Sequence, residues 1–568
     1  MKSPGAKDGS LAGRILILNK VNRIETSQMK LAGFFAETPK LNRDSLVIFV
    51  SAVIFFLIGV RPEFIGFDTR FALFAKEMLH NGPAWFPTIY GMPYPDYPAT
   101  STFLIYLFSL PLGEVTPFTS ILPTAITSAL VLVITYRIGA VRSKKWGIYA
   151  VLLTLFTYQF LSLSRSISLD QYTSLVTVLC FYVSYSAAVY GKTKRLLTLP
   201  LLFVTGFAFR GPMGMLIPMA VTCGFYLWQK DIKTFIITAV CGTVLMAICW
   251  VLLLKAAYLQ GAESLVAKVV DAQAAGRVSG GSHNYFYYWV RSFSYYSAAY
   301  PLAILVLFFQ FRRILRQEDD DRRLLGGLAV WVLVILIGLT IPIAKKMRYI
   351  LPIAPSLSLI ASYIFIASSP SKVLLNIRNI FVGFCRSFPF LAFFGVLGLL
   401  LFSVCANRAF GAYYVIPMVL LGSLAVLNCQ VTRWFDDNGL KELIFVAGAV
   451  LSLIVLQAGV IEPVNYELES TLPFVAKVES LQKSANGGIV FYQIGPDSED
   501  IKLMSNMKEL SIPEFIKSPT EILNYKQNVY FIARENHIAL LPPEVMNQIE
   551  LLFEGKIGHK ECVIFRIE

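Results

Sequence analysis

Charge is scarce in this sequence. Of its 568 residues only 15% are Asp, Glu, Lys or Arg, against 56% hydrophobic residues and a mean hydropathy of +0.61, where an average soluble protein carries about 25% charged residues. That balance excludes a soluble enzyme of several ordinary domains. Paired cysteines are missing too. Seven of the eight cysteines (Cys180, Cys223, Cys241, Cys249, Cys385, Cys405, Cys429) fall within or at the edges of apolar stretches, and only Cys562 lies in a polar region. No disulfide framework or CxxC metal site is spelled out, and buried small residues are the simpler reading. Lys and Arg total 50 against 36 acids, a formal charge of +14. A nucleic-acid partner would need a basic groove interleaved with aromatics in a polar region, and the chain has none.

What is present is a series of apolar stretches. The first 44 residues carry eight Lys and Arg, from Lys2 to Arg43, without an apolar leader core and cleavage site; they read as a basic cytoplasmic arm, either amphipathic over Gly13 to Phe35 or disordered. Fourteen apolar segments follow between about residues 45 and 461. Counting all fourteen as spans puts Arg142, Lys144 and Lys145, then Lys192, Lys194 and Arg195, outside, against the positive-inside rule. Segment 98–112 is short and contains Pro98 and Pro111; without it the parity is repaired. The expectation is a mainly α, polytopic membrane protein of about thirteen transmembrane helices over 45–461, with the basic clusters inside. The loops at 61–116 and 257–298 and the C-terminus then lie outside.

Residues 462–568 are richer in charge, and the runs Gly488 to Ile494, Asn528 to Arg534 and Cys562 to Ile567 read as strands. Ser518-Pro519-Thr520-Glu521 has the spacing of a capped helix start. A small α/β domain on the outer, periplasmic side is expected.

Ionisable groups at the outer face are few and clustered. In the first external loop, Phe71, Phe74, Ala75 and Met78 share one helical face, predicting an interfacial helix over 69–80 that begins at Asp68. Asp68 reads either as its N-cap or as a functional acid. Asp170, at the outer end of a span, is the sole acid between Ala140 and Leu199; it reads as functional, with Arg165 as a partner, or as half of a structural ion pair with Arg165. Arg70, Arg165, Arg210, Lys268, Arg277, Arg291 and the run Lys345-Lys346-Met347-Arg348-Tyr349 are positive charges where topology disfavours them. They suit a bound phosphate or, singly, lipid headgroups. His283 stands alone in the second long loop, so a metal site would need Asp68, Asp96, Asp170, Glu263 or Asp271 to complete it.

In order, these motifs resemble the bacterial type C glycosyltransferases of the aminoarabinose-transferase and protein-mannosyltransferase-like group. The matching residues are Asp68-Thr69-Arg70-Phe71-Ala72 with Lys76-Glu77-Met78, then Pro87, Gly91 and Tyr94-Pro95-Asp96-Tyr97-Pro98. Ser164-Arg165 with Leu169-Asp170, Arg210-Gly211-Pro212-Met213-Gly214, Arg277 with His283, and Arg348-Tyr349-Ile350-Leu351-Pro352 follow. The resemblance spans roughly residues 45–465. It implies an inner-membrane enzyme that uses a polyprenyl (undecaprenyl) phosphate-linked sugar, an amino sugar included, at the periplasmic face. It also implies Asp68 and Asp170 as the acidic, catalytic pair, Arg277 and Tyr349 as donor-phosphate contacts, and Asp96 as a metal-linked acid.

Three departures stand out. Asp96-Tyr97-Pro98 replaces a Glu-Lys-Pro, losing a lysine that Lys345 or Lys346 could replace. Arg210-Gly211-Pro212 replaces a Lys-Gly-Pro turn, and no histidine falls between Asp271 and Gly276. A divalent metal on Asp96 and His283 therefore stays an open expectation. The expected substrate-binding set is Arg70, Asp96, Tyr97, Arg165, Arg210, Arg277, His283, Lys345, Lys346, Arg348 and Tyr349. The expected acceptor is lipid A or another periplasmic glycan or lipid. Transfer to protein Ser or Thr is an alternative, as is a lipid-sugar flippase, which would carry charges near the bilayer midplane and repeated halves. Here the charges gather at one face.

Overall fold

The computed structural model describes residues 43–275, 284–316, 320–367, 370–405, 414–485, 487–496, 498–525 and 529–568. All but the last two residues of the expected N-terminal arm, together with Arg277 and His283, lie outside them. Backbone contacts group Met1–Ile48 and Phe49–Glu568 as two units. The first supplies only the start of the helix Arg43–Leu57 to the described residues.

The second unit is mainly helical and crosses a membrane several times. Among the described residues, eight helices are long and apolar enough to span a bilayer, or ten if each sharply bent pair is one span. Every apolar segment of the sequence forms a helix over most of its described residues. The sequence count of thirteen includes Leu199–Arg210 and Pro212–Trp228, which fall short of a crossing on their own, since about 20 residues are needed. Segment 98–112 forms only the ten-residue helix Thr100–Ser109 and one further turn. The expected continuous span at 146–164 is broken into Lys144–Leu155 and Tyr158–Ser164, bent by 75°. Thr154 and Thr157 hydroxyls donate to the carbonyls of Ala150 and Leu153, four residues back, a pattern that bends helices without proline.

Start signals are local. Pro117 opens Pro117–Ala140 at a position needing no N–H, and Thr116 and Thr119 cap each other reciprocally. Leu199–Arg210 and Pro212–Trp228 pack so closely that a Cβ on Gly206 would stand 2.1 Å from the Gly214 carbonyl oxygen. Gly211, between them, has φ +61°, a backbone conformation that favours glycine. The tight turn fixes Arg210 at a helix end.

The C-terminal part carries a five-stranded mixed sheet in the spatial order Glu514–Ile516, Ile489–Tyr492, Tyr530–Arg534, Lys560–Ile567 and Ile549–Ile557. The first three are parallel and the rest antiparallel. Three strands stand where alternation placed them; the other two were not read from sequence. Ser518 makes no cap: its hydroxyl pairs with Thr520 Oγ1 at 2.8 Å.

Alternate residues face opposite cores. Ile489, Phe491, Ile532 and Ile564 join Phe71 and Phe74 of the helix Asp68–Asn81, and Val490, Tyr492, Phe531 and Phe565 pack on the other side. The helix expected at 69–80 is present as Asp68–Asn81, and its buried side extends beyond the predicted apolar face to Thr69, Leu73 and Glu77, packed chiefly against the helices Thr100–Ser109 and Glu499–Asn506. Glu77 accepts from Tyr90 N, Thr88 Oγ1 and Gly91 N, fixing the hairpin Thr88–Ile89/Met92–Pro93. Lys76 Nζ donates to the Met507 carbonyl at 2.6 Å. Both charged groups of the motif are thus engaged in loop architecture.

Candidate functional site

A cavity of about 230 Å³ opens where the segment after the helix Arg43–Leu57, the turn between Ser164 and Leu169 and the end of the last long apolar helix meet; Asp68, Arg165, Asp170, Arg210, Arg348 and Glu462 supply its charges. Asp68 is the first residue of its helix and Phe67 the flanking one, and no side chain caps that end. The capping reading is therefore not realised. Asp68 Oδ1 accepts instead from the backbone N–H of Ile167 at 2.9 Å, across 99 residues of sequence. Protein surrounds this carboxyl except where it meets the cavity. Burial pushes its pKa up to about 7, with the Glu462 charge acting in the same direction and the Ile167 N–H and Arg61 opposing.

Asp170 sits at the N-terminal end of Leu169–Tyr190, where a negative charge is favoured by the helix dipole. It faces two guanidinium groups: Arg210 Nη2 at 3.3 Å and Arg348 Nε at 3.6 Å. Arg348 is also seated on the Phe67 ring at 4.0 Å, and Arg210 lies against Tyr97 and Tyr349 at 5.4 and 5.5 Å. The buried Arg348 Nε has no hydrogen bond among the described residues. One carboxylate shared by two arginines leaves an excess of positive charge, suited to an anion.

The expected Arg165–Asp170 pairing is replaced. Arg165 makes a bidentate pair with Glu462, Nε to Oε1 at 2.6 Å and Nη2 to Oε2 at 2.7 Å, and donates to the carbonyls of Phe55 and Ile58. Its side chain ends one helix and points to the end of Arg43–Leu57, away from Asp170. Glu462, Arg61 and Gln457 were not singled out in the sequence. A signal existed: Arg61 and Glu462 are the first charged residues beyond their apolar runs. Arg61 Nη2 lies 3.9 Å from Glu462, and Gln457 Nε2 donates to it at 3.2 Å.

Other expected residues stand apart from the cavity. Arg70 lies against Phe67 and Tyr94, and Lys345 and Lys346 precede the turn that carries Arg348, with Lys346 exposed. Tyr97 is buried beneath Arg210, and Tyr349 lines a small neighbouring recess with Asp170 and Arg210. Asp96 accepts from the Tyr94 hydroxyl at 3.3 Å, and its carbonyl accepts from Gln273 Nε2. Among the described residues no three His, Cys, Asp or Glu side chains gather as metal ligands.

The family model for dolichyl-phosphate-mannose-protein mannosyltransferases matches residues 96–254, and no curated protein matches the chain. Two solved structures are similar over nearly their whole length. ArnT from Cupriavidus metallidurans bound to undecaprenyl phosphate aligns at 12% identity with a TM-score of 0.68, covering 92% of this chain and 98% of that one. Its apo form gives 12%, 0.64, 92% and 97%. Both findings agree with the fold expected from the motifs, that of a multi-pass membrane protein built like the type C glycosyltransferases.

Proposed function

We propose that this glycosyltransferase moves a single sugar from polyprenyl phosphate to a lipid or glycan acceptor, lipid A first among them, at the periplasmic face of a bacterial inner membrane. The observation that carries this reading is one cavity holding, side by side, the Asp68 carboxyl without an ion-pair partner among the described residues and the two arginines shared by Asp170.

The donor phosphate docks on Arg348 and Arg210. An acceptor oxygen bonds to the anomeric carbon as the bond from that carbon to the phosphate oxygen breaks. The electron pair leaves with polyprenyl phosphate, whose growing negative charge the arginines stabilise. A hydroxyl acceptor gives its proton to Asp68, whose affinity for protons near neutral pH fits a general base. A phosphate acceptor is already ionised and needs only orientation. Asp170 acts by holding both arginines in place.

Transfer to protein hydroxyls is the second reading, favoured by the family model that matches residues 96–254. Mass spectrometry of lipid A, other envelope glycans and envelope glycoproteins from a deletion strain separates the two by the class that loses a sugar. Full complementation by Asp68→Asn combined with Asp170→Asn overturns the catalytic assignment, and unchanged glycans with altered lipid-sugar distribution across the membrane favour a flippase. A divalent cation would draw on Asp96 and His283. Chelation followed by Mg²⁺ or Mn²⁺ tests it: a lost and restored rate supports that site, and an unchanged rate removes it.

A further inference from the structure

The donor reading above puts the phosphate on Arg348, which lines the cavity, and this step rests on that reading. What aims Arg348 then matters. Asp170 meets its Nε at 3.6 Å, an ion pair in which that nitrogen makes no hydrogen bond among the described residues, and the Phe67 ring lies against its guanidinium at 4.0 Å. Neither contact fixes a direction as a hydrogen bond would. The aim of the side chain therefore depends on the backbone that carries it, the turn Met347–Ile353 with Lys346 at its start.

Two tyrosines from another part of the chain hold that turn. The helices Tyr287–Tyr295 and Ala299–Gln310 meet at 114°; Tyr288 lies in the first and Tyr296 at the bend, and they are only 1% and 0% exposed. Tyr288 Oη accepts from the Lys346 N–H, and Tyr296 Oη donates to the Met347 carbonyl at 3.2 Å. That carbonyl belongs to the peptide bonded to the Arg348 nitrogen, so the two phenols grip the backbone at the two residues immediately before Arg348. The Lys346 carbonyl accepts from the Tyr349 N–H at 3.0 Å, closing the turn. Phenylalanine would serve packing alone, because burying a hydroxyl costs free energy unless it is paired. Here both pairs are made with the segment that carries Arg348.

We propose that Tyr288 and Tyr296 are positioning residues for phosphate binding, holding the backbone before Arg348 so that its guanidinium faces the cavity. They act through Arg348. The test uses the purified full-length protein in detergent with undecaprenyl phosphate as the probe, and compares Tyr288→Phe and Tyr296→Phe in the wild-type and Arg348→Ala backgrounds. Each phenylalanine keeps the ring and its packing, and thermal unfolding checks that every variant is folded at the assay temperature.

In the wild-type background each substitution should weaken undecaprenyl phosphate binding by about three- to tenfold, the loss expected for one hydrogen bond. In the Arg348→Ala background the same substitutions should change affinity by less than about twofold, because the group they aim is gone. Unchanged affinity in the wild-type background overturns the proposal. So does an equal loss in both backgrounds, which marks a merely structural role. A wild type that binds no undecaprenyl phosphate, or an Arg348→Ala variant that binds it as tightly as wild type, overturns the donor reading and this proposal together, a result distinct from lost coupling.

Discussion

Replacing Asp68 by Asn should slow transfer steeply and stabilise the fold, with a gain that depends on pH in a defined direction. The carboxyl has an ordinary pKa of 3.8, which burial pushes up to about 7. Below about pH 4 it is protonated in both folded and unfolded chains and costs nothing. Between about pH 4 and pH 7 the folded chain keeps a proton that the unfolded chain has released, so stability falls as pH rises through that window. At about 1.36 kcal/mol per tenfold change in proton affinity, the cost above pH 7 reaches up to about 4 kcal/mol, cavity water screening part of it. Asparagine keeps the shape, can still accept from the Ile167 N–H and never carries the charge.

The variant should therefore match the wild type in thermal unfolding near pH 4 and exceed it by several degrees at pH 8, measured on purified protein in detergent. Its transfer rate should fall by about 10²- to 10⁴-fold if Asp68 is the base. The wild-type rate itself should climb about tenfold per pH unit below pH 7 and level off above it. A variant less stable than wild type at pH 8, or one that retains activity, refutes the reasoning.

Removing one partner of the buried Arg165–Glu462 pair, as in Glu462→Ala, should destabilise by about 3–5 kcal/mol because Arg165 is left charged and unpaired. Arg165→Met combined with Glu462→Met should recover most of that in the same unfolding assay, and a double variant as unstable as the single contradicts the pairing. Arg348→Ala should weaken undecaprenyl phosphate binding by roughly ten- to a hundredfold, the loss of a charge-assisted contact; unchanged affinity places the phosphate elsewhere. Gly211→Ala should cost about 1–3 kcal/mol, because φ +61° with ψ −150° is a region open essentially to glycine alone, and press on Gln273 Oε1, 3.1 Å from the new Cβ. Activity should drop with it as Arg210 shifts, and a fully stable, fully active variant removes the turn from the argument.

How much was legible divides along the range of the forces involved. Apolar runs and the Arg210-Gly211-Pro212 turn are written in neighbouring residues, and most of the runs stand as helices where they were read. Three strands of the sheet also stand where they were read. The helix Asp68–Asn81 was right in extent, but the helices that pack against it were not legible, because an apolar face has the same period whatever covers it. Lys76 and Glu77 looked like part of a functional motif, but their hydrogen bonds to Met507, Thr88 and the following hairpin show that they build the loop.

The scarcity of charge by itself determined that this is a membrane protein, because helices that carry few ionisable groups enter lipid at little cost. The motif order by itself pointed to the class of enzyme and to Asp68 and Asp170. Only the tertiary structure decided who faces whom. Arg165 meets Glu462 across 297 residues instead of Asp170 five residues on, and the Asp68 carboxyl accepts a backbone hydrogen bond from the turn that leads to Asp170. The physical reason is that an ion pair or a shifted pKa depends on distance and on the exclusion of water. Both arise from the packing of segments far apart in the chain, which a local pattern does not encode.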